Sequence, residues 1–202
     1  MRASTRRELV PGPAGRIECA IDVPEKHRGV ALVAHPHPLF GGTLDNKVVQ
    51  TLARSFVDLG YAAVRPNFRG VGQTEGVHDE GRGELEDMAA VLAWAQAQFG
   101  DSPPVLAGFS FGSFVQTHLA QEVAPERMVL VGVAVKRFDA RPVPPNTLVI
   151  HGEVDETVPL ADVLEWARPQ DLPVIVVPGA DHFFHQKLNV LRSIVQSNWR
   201  GR

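Results

Sequence analysis

Gly108-Phe109-Ser110-Phe111-Gly112 is a stretch whose residue types and spacing could do chemistry. It follows a short apolar run, Pro104-Val105-Leu106-Ala107, and leads into a helix-like segment containing Phe114, Val115 and Leu119. A serine at the tip of a sharp strand-to-helix turn sits in a strained backbone conformation with its hydroxyl lifted clear of the sheet. The residues two before and two after crowd that turn, so glycine suits both places. A serine hydroxyl is a poor nucleophile until a base within hydrogen-bond reach accepts its proton. Histidine suits that task near neutral pH, and a carboxylate on its other ring nitrogen fixes the tautomer. His182 and Asp155 are the candidate partners, with His185 and Asp139 as rivals.

The elements that must position these residues read as alternating strands and helices. Residues 17–23 alternate Ile17, Cys19, Ile21, Val23 as a strand, and 29–34 form a continuous apolar run expected of a strand buried on both faces. Val48, Val49, Leu52, Ala53, Phe56 and Val57 share one helix face, and Gly60 is a stop. A strand over 61–64 and a glycine-rich stretch over 76–83 precede a helix from Glu84. Strands follow over 105–107, 128–135, 147–150 and 174–177, with helices around Val163 and from Leu188 to the end. This pattern predicts an α/β fold with a mostly parallel central sheet and helices on both faces. Ligands in such sheets bind outside the carboxyl ends of the strands. Residues 35–42, 67–72, Ser110, Asp155 and His182 all come just after a strand.

The 202 residues suffice for one domain, 1–202, with a substantial core. A formal net charge of −3 gives no reason to expect a nucleic-acid or anionic-membrane partner. The single cysteine, Cys19, excludes an internal disulfide framework and fits a reducing, cytoplasmic compartment. The first ten residues lack the apolar segment of a secretory signal, and no apolar run is long enough to span a bilayer.

Five motifs in order, each after a strand, carry a resemblance. They are Ala34-His35-Pro36-His37-Pro38, Asn67-Phe68-Arg69-Gly70-Val71-Gly72, the Gly108–Gly112 stretch, His151-Gly152-Glu153-Val154-Asp155 and Gly179-Ala180-Asp181-His182. Over residues 17–199 the chain resembles the α/β-hydrolase superfamily, and within it the small, cap-less bacterial members similar to dienelactone hydrolases. The resemblance implies a serine hydrolase, expected to be a carboxylesterase acting on small esters, with Ser110 as nucleophile, Asp155 as orienting acid and His182 as general base. It implies an oxyanion hole of two backbone N–H groups, Phe111 and one from the loop after Ala34. That second donor falls to His37, since neither Pro36 nor Pro38 has an N–H. The connection 136–146 leaves no room for a cap, so an open, shallow site is expected. No cofactor or metal is implied: the His35/His37 pair lacks an evident third ligand.

Each assignment has a plainer rival. Ser110 could be a helix N-cap and Asp155 a cap for the next helix. His35 and His151 read as structural; His27, His78 and His118 as surface or packing residues; Cys19 as a small hydrophobe. Arg69, Lys136 and Arg137 lie near strand ends and could bind an anionic substrate group or be solvated rim charges. The same three catalytic residues would serve an acyltransferase, peptidase or perhydrolase, and the fold could carry a non-catalytic binding protein. The sequence leaves oligomeric state open.

Overall fold

The computed structural model describes residues 5–200, Arg200 by its backbone alone. Residues 1–4 and 201–202, part of the expected 1–202 domain and of the N-terminal stretch read for a signal, lie outside the described residues.

Eight strands form one sheet: β1 (Thr5–Gly12), β2 (Gly15–Asp22), β3 (Val30–Ala34), β4 (Ala62–Pro66), β5 (Val105–Phe109), β6 (Arg127–Val131), β7 (Leu148–Gly152) and β8 (Val174–Val177). Their order across the sheet is β1-β2-β4-β3-β5-β6-β7-β8. From β4 to β8 every neighbour pair is parallel; β1 pairs with β2, and β2 with β4, antiparallel. The helices are α1 (Lys47–Asp58), α2 (Arg82–Phe99), α3 (Phe111–Glu122), α4 (Leu160–Ala167) and α5 (Leu188–Arg200).

The helices cover both faces, as the alternation predicts. On one face, side chains of α2, α3 and α4 (Met88, Val91, Val115, Leu119, Val163) pack on Leu32, Leu106 and Leu130. On the other, α1 and α5 (Leu52, Phe56, Leu191, Val195) pack on Val33, Ala107, Val129 and Ile150. Adjacent strand residues point to opposite faces, so β3 and β5, at the centre of the sheet, are apolar and buried at every position and feed two cores.

Local chemistry sets the helix ends. Asn46 starts α1, its side chain accepting from the N–H groups of Val48 (2.9 Å) and Val49 (3.4 Å). Glu84, in the first turn of α2, reaches back to the Gly81 N–H at 2.9 Å.

Two elements differ from the expected pattern. β1 was not expected: it forms a hairpin with β2 through residues 12–15 and is the solvent-facing edge of the sheet. β6 ends at Val131, short of the expected 135, because Gly132 takes φ +53 and turns the chain out of the ladder. The 132–147 connection holds no helix or strand, so no cap covers the sheet edge at that point. Among the described residues no helix is long and apolar enough to cross a membrane.

Candidate active site

The turn from β5 to α3 sets Ser110 at φ 56°, ψ −119°, a region costly for any residue with a Cβ. Packing enforces it. The Ser110 N–H donates to the Val131 carbonyl at 2.9 Å, and Ser113 Oγ donates to that same carbonyl at 3.1 Å. A methyl on Gly108 would stand 2.5 Å from the Gly112 carbonyl carbon, and one on Gly112 would stand 2.4 Å from the Ala34 carbonyl oxygen. The two glycines let the turn close on itself and let α3 begin hard against the end of β3. Ser110 makes no side-chain capping bond to α3, which removes the N-cap reading.

β7 and β8 bring the other two residues together. A methyl on Gly152 would stand 2.4 Å from the Ala180 carbonyl oxygen, so only glycine allows the two strand ends this approach. Asp155 Oδ1 accepts from the Thr157 (2.9 Å) and Val158 (2.8 Å) N–H groups. Its Oδ2 lies 2.7 Å from His182 Nδ1. The capping-like role and the histidine contact therefore coexist, one on each oxygen. A carboxylate accepts only, so the proton on this side of the ring sits on Nδ1, and in the neutral tautomer that this contact selects Nε2 is the acceptor. The His182 ring packs on Phe109, centroids 4.8 Å apart, and beside Gly132.

The rival residues are engaged elsewhere. His185 Nδ1 pairs with Asp181 at 2.5 Å, and exposed Asp139 pairs with Arg141 at 3.0 Å. His151 is fully buried, its Nε2 donating to the Val158 carbonyl at 2.9 Å and lying 3.6 Å from Asp155 Oδ2. Burial pushes its pKa down, favouring the neutral ring beside the Asp155–His182 pair. His35 is structural: Nε2 accepts from the Phe68 N–H at 2.9 Å and Nδ1 donates to the Pro36 carbonyl at 2.6 Å. Burial lowers its pKa to about 4.

Ser110 opens into a cavity of about 240 Å³ shared with His37, Phe40, Phe111, Phe138 and Arg137. His37 caps the turn at residues 38–40, its Nδ1 accepting from the Leu39 N–H at 3.2 Å, and its ring lies 4.8 Å from that of Phe111. Burial, with the nearby charges of His78 and Arg137, holds its pKa below the ordinary histidine value. Phe111 is the first residue of α3, where backbone N–H groups have no intrahelical acceptor.

Arg69, expected as a possible substrate contact, does not line this cavity. Its guanidinium is bound by Asp87 at 2.8 and 3.0 Å and by Glu86 at 3.1 Å, because α2 places both carboxylates against it. Lys136 lines the cavity but pairs with Asp162 at 2.8 Å. His78, read as a surface or packing residue, sits beside the site: its ring is 4.9 Å from His37 and 5.6 Å from Phe111, and Nδ1 is 2.8 Å from buried Glu84. The glycines of 76–83 signalled a loop, and nothing in that stretch signalled where it folds. Among the described residues no three His, Cys, Asp or Glu side chains gather where a metal could be held.

Residues 37–137 match the family described as the alpha/beta hydrolase fold. An uncharacterised protein of Rickettsia prowazekii is 32% identical over 93% of this chain and 89% of its own length. An α/β serine hydrolase without a lid from Xanthomonas campestris is 35% identical, with TM-score 0.93 over 99% of this chain and 95% of its own. An α/β serine hydrolase homologue from Coxiella burnetii is 37% identical, with TM-score 0.88 over 96% of each chain.

Proposed function

The chain belongs to the α/β-hydrolase family, and from that premise we propose that it is a serine hydrolase cleaving small carboxylic esters through an acyl-enzyme on Ser110. The observation that carries this reading is the strained Ser110 turn on the sheet edge that also holds the 2.7 Å Asp155–His182 contact. A serine that merely capped a helix would need neither the φ of 56° nor the glycines around it.

In this mechanism Nε2 of His182 takes the Ser110 proton as Oγ attacks the ester carbonyl. Asp155 holds the ring in the required tautomer and stabilises the imidazolium. The developing oxyanion is bound by the backbone N–H groups of Phe111 and His37, each lost donor costing about a hundredfold or more in turnover. The contact of Gly112 with the Ala34 carbonyl, which sets α3 against the loop carrying His37, supports that pairing. The tetrahedral intermediate collapses, His182 protonates the leaving alcohol, and the C–O ester bond breaks. Water then attacks the acyl-enzyme, giving its proton to His182, and the acid leaves as Ser110 regains its hydrogen. The chemistry uses side chains and backbone of this chain alone. We place the protein in the cytoplasm as a single domain; Cys19, buried with its thiol pKa raised to about 12, supports a packing role over a redox one.

Intact-mass labelling with a fluorophosphonate tests the reading. Wild type should take one adduct, and Ser110→Ala and His182→Ala none. A folded wild type that takes no adduct would overturn it.

A further inference from the structure

The three cations near the strand ends differ in what already holds them. Arg69 is held by Asp87 and Glu86. Lys136 faces Asp162 at 2.8 Å and Glu165 at 3.6 Å. Arg137 has no carboxylate partner among the described residues. Its guanidinium carbon lies 5.1 Å from the Phe40 ring centroid and 5.7 Å from that of Phe138. All three of these residues line the cavity into which Ser110 opens. The carboxylate that lines this cavity, Asp162, is already taken by Lys136.

A guanidinium against aromatic faces is positioned without spending its in-plane N–H donors. Those donors form a fork that matches the two oxygens of a carboxylate or phosphate. Phe40 is 69% exposed, so its ring is free to flank an apolar linker as well as the cation. The charge is felt inside the cavity too, since Arg137 helps depress the pKa of His37. Resting on the esterase reading, we infer that Arg137 is the specificity residue of this site. It selects esters that carry an oxyanionic group, carboxylate or phosphate, joined by a short apolar linker to the ester that reaches Ser110.

Two arms separate the sources of the anion. The first compares kcat/KM for p-nitrophenyl hemiglutarate with p-nitrophenyl valerate. The second compares 4-phosphonooxyphenyl butyrate with phenyl butyrate. Wild type should favour the charged ester on at least one arm by roughly five- to tenfold, a range fitting a charge-assisted contact at an open mouth. The preference should fade as salt rises. Arg137→Gln should bring the charged-to-neutral ratio toward one, and Arg137→Lys should restore part of it. The arm that shows the preference identifies the anion. No preference on either arm, a preference that survives Arg137→Gln, or equal loss from Lys136→Gln would overturn the inference. A wild type inert to every ester and to fluorophosphonate would mark failure of the esterase reading instead. Saturation-transfer NMR of monomethyl glutarate and phenyl phosphate on Ser110→Ala, with and without Arg137→Gln, would then decide the role of Arg137 without turnover.

Discussion

Gly152 closes the junction on which the proposed base depends, and Gly152→Ala tests that junction with one methyl group. The added Cβ would lie 2.4 Å from the Ala180 carbonyl oxygen, 2.8 Å from that of Asp181 and 3.0 Å from the Ala180 carbonyl carbon. All three atoms are backbone of the turn leading into His182, so no side-chain rotation relieves the clash. Restoring ordinary van der Waals contact requires the turn to retreat by roughly 1 Å. The Val154 N–H to Ala180 carbonyl bond, 3.0 Å long, resists that retreat from the Asp155 side. A 1 Å retreat would carry the 2.7 Å His182–Asp155 contact beyond hydrogen-bonding distance. A displacement of that size at reacting groups costs about a hundredfold, and overpacking adds about 1–3 kcal/mol of lost stability. The assay is kcat/KM on p-nitrophenyl butyrate together with the fluorophosphonate labelling rate, both well below the melting temperature of the variant. The expected result is a drop of about a hundredfold in both with native circular dichroism. A folded Gly152→Ala within about threefold of wild type in both would refute the coupling of this contact to Ser110 activation.

Gly112→Ala should act on the oxyanion side, because its methyl would meet the Ala34 and His35 carbonyl oxygens at 2.4 and 2.5 Å. Its kcat should fall by about a hundredfold, and a kcat equal to wild type would detach the β3–α3 contact from turnover. His35 should make the fold acid-sensitive. Its pKa falls from 6.5 unfolded to about 4 folded, so as pH drops through that window the unfolded chain takes up a proton the native state refuses. Urea unfolding should show a loss of about 3 kcal/mol from this group between pH 6.5 and 4, largely absent in His35→Gln; an identical pH dependence in the variant would contradict it. Arg69→Gln should leave the nearly buried Asp87 without its cation, costing about 3–5 kcal/mol in stability. The charged-to-neutral ester ratio should not move in that variant, and a changed ratio would return Arg69 to the substrate site.

How much of this was legible in the sequence depends on which forces fix each feature. Strands β3 and β5 read plainly because both faces are buried and every position is apolar, and β7 because its run Leu148-Val149-Ile150 is apolar and buried. β1 did not, since an edge strand facing solvent is spelled in polar residues, Thr5-Arg6-Arg7-Glu8. β6 was read too long because Val133, Ala134 and Val135 stay apolar beyond Gly132. Val133 is buried there by the core rather than by the ladder. The Ser110 turn and the Asp155–His182 contact could be anticipated because each of these residues follows a strand and all strands after β2 run the same way. The cations could not be sorted in that way. All three sit after strands, and what separates them is the rotational phase of helices that come later. α2 turns Asp87 onto Arg69, and α4 turns Asp162 onto Lys136. Neither α2 nor α4 turns a carboxylate onto Arg137, which is left to the rings of Phe40 and Phe138. A one-dimensional pattern locates a charge; only the packed helices decide whether that charge is already neutralised. For that reason the selectivity we propose for this site is assigned to the one cation of the three that the helices leave unmatched.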